Sequence, residues 1–232
     1  MKSSSIRSIQ IRLIIIGIIL LLPIFSCAPK LKQSDIHPLS FTFLGNASVK
    51  IKTASGYVIY IDPARGESAL YSDPADLVLI THTHSDHNNP ALVKIKDNKP
   101  IIAPVMGHNL RYIMPDEKIN IDGIEILRVA AYNKNHDKNA SCGYVLSFNG
   151  YKIYHCGDTS KTEEMPALAA MNIDLALLCM DGQFNMNALE AKECAAIIKA
   201  KKYIPIHTMN ADISTFDIPE KIVLNPGESL EL

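Results

Sequence analysis

Short apolar runs separated by polar turn residues follow one another from residue 40 onwards, and this pattern predicts β-strands. The first three runs are residues 40–44, 48–52 and 57–61. Turn pairs that contain glycine, Gly45-Asn46 and Ser55-Gly56, separate them, so we expect a meander of hairpins. The run at 76–80, in which four consecutive apolar residues follow Asp76, predicts a buried strand, and residues 101–103 predict another.

Strands alternate with helices in the rest of the chain. Further strands are predicted at residues 123–130, 143–148, 152–155, 174–179, 203–206 and 228–232. Helices are predicted to begin within 107–113, to span 161–170, and to follow Asn187, where Glu190 three residues later resembles a capping box. Two successive halves of strands followed by helices predict an α/β fold, in which two sheets pack face to face with helices outside.

The first 26 residues have a different pattern, with three basic residues and then ten consecutive apolar residues at 13–22. A membrane-spanning helix needs about 20 apolar residues, so this run predicts a secretory signal peptide over residues 1–26. Its end, Ser26-Cys27, resembles a bacterial lipobox, in which the cysteine is lipidated. We therefore expect export and anchoring to the cell envelope through Cys27, a tether at 27–39 and one domain at 40–232. An uncleaved anchor and a misassigned start codon are the alternatives.

Composition limits the classes of function. The 232 residues include 47% hydrophobic residues and carry a formal net charge of −1, which suits a globular domain and argues against nucleic-acid binding. Four cysteines follow Cys27 without any C-x-x-C pair, so a thiolate zinc site is not expected. Buried free thiols are favoured for them, with disulfides as the alternative in an exported protein.

The candidate chemistry is concentrated directly after the apolar run at 76–80. His82 and His84 alternate along the chain and project to the same side of an extended segment. The turn that follows can bring Asp86 and His87 to a neighbouring point. Imidazole and carboxylate groups suit a borderline metal such as zinc. We therefore predict a metal site at the end of this strand, and a solvated histidine-rich loop is the weaker alternative.

This segment and four later motifs resemble the metallo-β-lactamase superfamily of metal-dependent hydrolases. The later motifs are Ile61-Asp62-Pro63, His136 within residues 133–138, Cys156-Gly157-Asp158-Thr159 and Pro205-Ile206-His207. The resemblance covers residues 41–232 and implies the four-layer αββα sandwich of that superfamily.

The resemblance also implies a ligand set for two divalent metal ions. One ion would be held by His82, His84 and His136, the second by Asp86, His87 and His207, and Asp158 would bridge them. Zinc is the expected metal, with Mn²⁺ or Fe²⁺ as alternatives. Asp62 would hydrogen-bond a metal-bound histidine, and Asp86 would also orient the nucleophile as a catalytic residue. His155 is expected to be packed or to support a ligand, and His108 to lie on the surface.

The implied activity is hydrolysis of an ester, lactone or phosphodiester by a hydroxide that bridges the two cations. Segments within 143–191 resemble a compact group of UPF-type hydrolases, akin to lactonases that act on sugar phosphates and to N-acyl-phosphatidylethanolamine phospholipase D. The substrate would be a small or lipid-like molecule. Gly45-Asn46 stands where that group has Gly-His, a difference that concerns the pocket rather than the metal ligands. The alternative is a non-catalytic metal-binding lipoprotein, which the complete ligand set disfavours.

Overall fold

The computed structural model describes residues 37–232, and in this part of the chain thirteen strands form two sheets. The predicted signal peptide at 1–26 and tether residues 27–36 lie outside the described residues. Strands are numbered along the chain. Apolar side chains from both sheets form one continuous core, which includes Phe41, Ile51 and Ile59 from one sheet and Leu146 and Phe148 from the other. The predicted α/β sandwich is therefore confirmed.

The first sheet has seven strands, in the order β13-β1-β2-β3-β4-β5-β6. They are β1 Pro38–Gly45, β2 Ser48–Thr53, β3 Val58–Ile61, β4 Leu77–Leu79, β5 Ile101–Ala103, β6 Leu110–Tyr112 and β13 Ser229–Glu231. The pairs β13-β1, β1-β2 and β2-β3 are antiparallel, and the pairs from β3 to β6 are parallel. The predicted hairpin meander and the final strand are thus present, and β3 and β4 end at the same edge.

The second sheet has six strands, in the order β12-β11-β10-β9-β8-β7. They are β7 Lys118–Ile121, β8 Ile124–Val129, β9 Gly143–Phe148, β10 Tyr151–His155, β11 Leu175–Cys179 and β12 Lys202–Ile206. The strands β10, β11 and β12 are parallel to one another. Because parallel strands end at a common edge, the residues that follow these three strands emerge side by side.

Helices are few in the described residues. The helix α1 spans Ala188–Ile198, and the Asn187 side chain accepts a hydrogen bond from the Glu190 backbone N–H at 2.9 Å, as the predicted cap requires. Three short 3₁₀ helices lie at Ser68–Tyr71, Pro90–Leu92 and Met165–Met171. No helix in residues 37–232 has both the length and the apolar character needed to cross a membrane.

One helix prediction is confirmed in part and one is wrong. The predicted helix at 161–170 overlaps the 3₁₀ helix Met165–Met171, which begins four residues later than predicted. The segment 107–113 contains β6, which pairs with β5 in parallel and is followed by the fully buried Ile113. Pairing with an exposed sheet edge satisfies backbone groups of β5, and this long-range interaction overrides the local pattern. The edge strand β7 was not predicted, because its apolar pattern is weak: Ile119 is its only buried residue and has a polar residue on either side.

The four cysteines of the described region lie buried as free thiols, as the favoured sequence interpretation predicts. They are Cys142, Cys156, Cys179 and Cys194. Burial raises the pKa of the Cys142 and Cys194 thiols to about 12, which keeps them protonated and unreactive.

Gly66, shortly after the end of β3, packs closely against the backbone of β1. Its φ is +100°, and a Cβ on this residue would lie 2.1 Å from the carbonyl oxygen of Leu44. We predict that Gly66→Ala lowers the free energy of unfolding by ~3 kcal/mol, because a positive φ and a steric clash combine. Gly56→Ala is the matched control, since φ there is +80° and nothing lies within 4 Å of the added Cβ. It should cost only ~1 kcal/mol. Equal losses for the two variants in urea unfolding would contradict the predicted steric cost at Gly66.

Candidate metal centre

Polar side chains collect where five strands end. Asp62 follows β3, the segment 82–87 follows β4, Asp158 follows β10, Asp181 follows β11 and His207 follows β12. His136 comes from the loop between β8 and β9. The two sheets therefore deliver their polar residues to one edge of the sandwich, and the structure brings all seven predicted ligands together there.

Three histidines form the first group. Nitrogen atoms of His82, His84 and His136 all lie within 4.8 Å of one another. His82 Nε2 is 3.1 Å from His84 Nδ1. The loop that carries His136 is polar, yet the imidazole itself is buried. This arrangement offers three nitrogen ligands from both sheets to one cation.

The second group consists of Asp86, His87 and His207, whose ligand atoms also lie within 4.8 Å of one another. His207 Nε2 is 3.2 Å from Asp86 Oδ2, and His87 Nε2 is 3.7 Å from the same oxygen. The two imidazole rings are stacked, with centroids 5.4 Å apart. One carboxylate and two imidazoles are again a suitable ligand set for a borderline divalent cation.

Asp158 lies between the two groups. Its Oδ1 is 3.3 Å from His87 Nε2, and its Oδ2 is 3.3 Å from His136 Nε2 and 3.4 Å from His207 Nε2. One buried carboxylate thus faces a histidine of the first group and two of the second, which is the position that a bridging ligand would need.

Asp62 orients the segment that follows β4 through contacts with Thr81 and His87. Its carboxylate accepts hydrogen bonds from the backbone N–H and the hydroxyl of Thr81, at 2.7 and 2.6 Å, and lies 2.7 Å from His87 Nδ1. The resemblance to the superfamily implies this contact. It leaves Nε2 of His87 as the ligand atom that points into the site. Asp62 has φ +49° and His207 has φ +46°, so left-handed backbone, which is uncommon outside glycine, occurs at two strand ends of the site.

Two further residues that support the ligands were not predicted from the sequence. Asn133 Oδ1 accepts a hydrogen bond from His136 Nδ1 at 2.9 Å, and Asp181 Oδ2 lies 3.1 Å from His207 Nδ1. Asp181 follows a buried strand, as Asp62 and Asp158 do, and that position was the available signal. Asn133 had no comparable signal, because its role depends on how its loop folds back.

The remaining histidines have other roles. His155 is fully buried, and its Nε2 donates to the Ala47 carbonyl at 2.9 Å while its Nδ1 accepts from the Gly157 N–H at 3.1 Å. It therefore supports the turn that leads to Asp158, in line with the predicted packing role. His108 is exposed, also as predicted.

The ionisable groups of the site influence one another strongly. Burial, and then the neighbouring His87, lower the pKa of His82 to about 3, so this imidazole is neutral, as a metal ligand must be. Burial alone would lower the pKa of His207, but the carboxylates of Asp181 and Asp86 raise it to about 10. Burial opposes the charge of Asp158, yet contacts with His136 and His87 hold its pKa well below its usual range. The site is thus built around carboxylate charge that needs positive partners.

A divalent cation fits this site on structural grounds. Six buried side-chain atoms of the described residues have no hydrogen-bond partner, and three of them are predicted ligand atoms: Nε2 of His87, Nε2 of His136 and Oδ1 of Asp158. A buried polar atom without a partner costs ~1–3 kcal/mol. All three atoms face the interior of the site, and coordination to a cation would satisfy them.

Comparisons with known proteins agree with this geometry. The model of the "Beta-lactamase superfamily domain" family matches residues 40–207. A UPF0173 metal-dependent hydrolase from Thermococcus onnurineus is 34% identical, with 82% of this chain and 98% of the relative covered. One from Natranaerobius thermophilus is 30% identical, with 84% and 100% covered. A solved structure from Parabacteroides distasonis has a TM-score of 0.70 at 26% identity and covers 80% of this chain and 91% of that one.

The fold, the site and the family match together define a metal-dependent hydrolase of the metallo-β-lactamase superfamily. Within that superfamily, the chain belongs to the UPF0173 metal-dependent hydrolase family. The expected fold and the expected class of enzyme are therefore confirmed.

Asp181 gives a test of how the site is supported. In Asp181→Asn, Oδ1 can still accept the backbone N–H groups of Gln183 and Phe184, but an amide donor replaces the oxygen beside His207 Nδ1. We predict a ~10- to 100-fold loss of divalent-cation affinity, because Nε2 of His207 is no longer favoured as the ligand atom. Competition with a chromophoric chelator measures this. The control is Asp97→Asn, an exposed aspartate outside the site, and equal affinities in the two variants would contradict the prediction.

Proposed function

We propose that this protein is a dinuclear hydrolase, with zinc as the expected metal, that cleaves an ester, lactone or phosphodiester bond. The position of Asp158 carries the proposal, since its two oxygens face histidines of both ligand groups at 3.3–3.4 Å. His82, His84 and His136 would hold one cation, Asp86, His87 and His207 the second, and Asp158 would bridge them. Mn²⁺ or Fe²⁺ would suit the same nitrogen and oxygen ligands.

When bound, the cations would lower the pKa of a shared water toward ~7 and polarise the electrophilic carbon or phosphorus. The chain's own residues supply orientation. Asp86 is half-buried on the wall of the site, and its Oδ2 accepts a hydrogen bond from the Asn46 amide at 3.2 Å. The Asp86 carboxylate is therefore held where it can orient the attacking water.

The cavity beside these residues has a volume of about 200 Å³ and is open to solvent. His84, Asp86, Asp158 and His207 line it together with Phe184. A cavity of this size that opens to solvent suits a small molecule or the head region of a lipid. The resemblance to lactonases acting on sugar phosphates and to N-acyl-phosphatidylethanolamine phospholipase D supports the same range of substrates. The net charge of −1 argues against a nucleic acid.

Loss of two ligands tests the catalytic proposal. His84→Ala and Asp158→Ala should each lose bound metal and lower hydrolysis by at least ~100-fold, because both the electrophile and the nucleophile depend on the cations. The substrates are 4-nitrophenyl esters, lactones and bis-4-nitrophenyl phosphate, and His108→Ala, at an exposed histidine, is the control. Activity should also disappear on chelation and return with metal.

Two results would count against this proposal. Variants that keep both metal content and activity would overturn the ligand assignment. A metal-loaded wild-type protein that cleaves none of these substrates would favour the alternative, a cell-envelope lipoprotein that binds metal without turnover.

We also propose that the protein is exported and anchored to the cell envelope by a lipid on Cys27. The support is the sequence pattern alone, three basic residues and a ten-residue apolar run ahead of Ser26-Cys27. Globomycin, which blocks the lipoprotein signal peptidase, should cause a larger precursor to accumulate in cells that express the protein. Cys27→Ala should abolish lipid labelling. An unchanged band pattern with globomycin would contradict the proposal.

A further inference from the structure

The cleft that opens beside the second ligand group has a mixed lining. Asp86 and His207 border it together with Arg65, Phe184 and Met209. Arg65 is the one side chain with a fixed positive charge among the residues that line it. Phe184 and Met209 are unusually exposed for large apolar side chains, at 44% and 57%. A cation and two apolar groups therefore lie within reach of a molecule bound at Asp86 and His207.

The backbone of Arg65 is held firmly in place. Its N–H donates to the buried hydroxyl of Ser48 at 3.0 Å, and its carbonyl accepts a hydrogen bond from the Tyr71 hydroxyl at 2.5 Å. The Ser48 hydroxyl donates in turn to the carbonyl of Asp62 at 2.6 Å. Because Asp62 also orients His87, the position of Arg65 is tied to the metal centre through two buried residues.

The Arg65 guanidinium, in contrast, has no ion pair or side-chain hydrogen bond among residues 37–232. Arg128 shows the other use of an arginine in this fold, since its buried guanidinium donates to the carbonyls of Ile113 and Asn139 at 2.7 and 2.8 Å. An unpaired guanidinium on a fixed backbone is well suited to bind a carboxylate or phosphate through two parallel hydrogen bonds.

Phe184 is fixed from the other side of the site. Its N–H donates to Asp181 Oδ1 at 2.6 Å, and its carbonyl accepts from the side-chain amides of Asn133 and Asn135 at 3.0 and 2.9 Å. Asp181 and Asn133 are also the residues that contact His207 and His136. The backbones of Arg65 and Phe184, which carry the cationic and one apolar group of the cleft, are therefore both anchored to residues that support the predicted ligands.

We infer that the substrate carries an oxyanion, a carboxylate or a phosphate, which Arg65 binds, and an apolar portion that packs on Phe184 and Met209. The inference rests on the proposed hydrolase function, because the scissile bond would lie at Asp86 and His207. It narrows the substrate class from any ester, lactone or phosphodiester to one that bears an additional anionic group.

Matched esters test the inference by turnover. We compare 4-nitrophenyl pentanoate with mono-4-nitrophenyl glutarate and with the 4-nitrophenyl ester of 4-phosphonobutanoic acid. In the wild type, kcat/KM should be higher for at least one anionic ester than for the neutral one. Arg65→Gln should lower this ratio roughly tenfold or more, since a charge-assisted hydrogen bond is lost. The carboxylate and phosphonate arms show which oxyanion is preferred.

Arg111→Gln is the control, because Arg111 is an exposed arginine on β6, outside the cleft. It should keep the wild-type ratio. A ratio in Arg65→Gln equal to that in Arg111→Gln would overturn the inference.

A binding measurement separates this inference from the proposed function. Isothermal titration of the zinc-loaded proteins with glutarate and with 4-phosphonobutanoate reports affinity without turnover. Arg65→Gln should bind at least one of these anions roughly tenfold more weakly than Arg111→Gln does. If the wild type cleaves no ester but this difference is present, the hydrolase proposal fails and the anion site stands. Equal affinities in the two variants, or no binding to the wild type, would overturn the anion site.

Discussion

The carboxylate of Asp158 is the group on which the site depends. It is buried, and its two oxygens lie 3.3–3.4 Å from nitrogens of three histidines that come from three separate segments. A carboxylate withdrawn from water needs positive charge and polar partners at close range, or its burial is strongly unfavourable. The imidazoles meet part of this need, and coordination of the unpartnered nitrogens and of this carboxylate to a divalent cation would meet the rest.

The direction of the strands brings Asp158 and these histidines together. The parallel strands β3 and β4 in one sheet and β10, β11 and β12 in the other end at one edge of the sandwich. Each strand end contributes a predicted ligand or a residue that contacts one. Asp62 is within hydrogen-bond distance of His87 Nδ1 at 2.7 Å, and Asp181 Oδ2 lies 3.1 Å from His207 Nδ1, so Nε2 of each ring faces the site.

Much of this arrangement could be predicted from the sequence because it depends on local patterns. The apolar run before His82 predicts a strand, and alternation along an extended chain places His82 and His84 on one side. The supporting role of Asn133 could not be predicted, since it depends on which loops meet in space. For Asp181, the position after a buried strand was a usable signal, but its contact with His207 could not be predicted from that position. The same limit explains the segment 107–113, where pairing with β5 gives a strand in place of the predicted helix. Edge strands with many polar residues, such as β7, carry too weak an apolar pattern to be recognised.

The central claim is that residues distant in the chain bind two cations at one edge of the sandwich. Metal analysis by mass spectrometry, on protein purified without added metal and after saturation with zinc, tests it most directly. We expect divalent transition metal in the purified protein and two tightly held equivalents per chain after saturation. A chain that retains one equivalent or less after saturation would contradict the paired site.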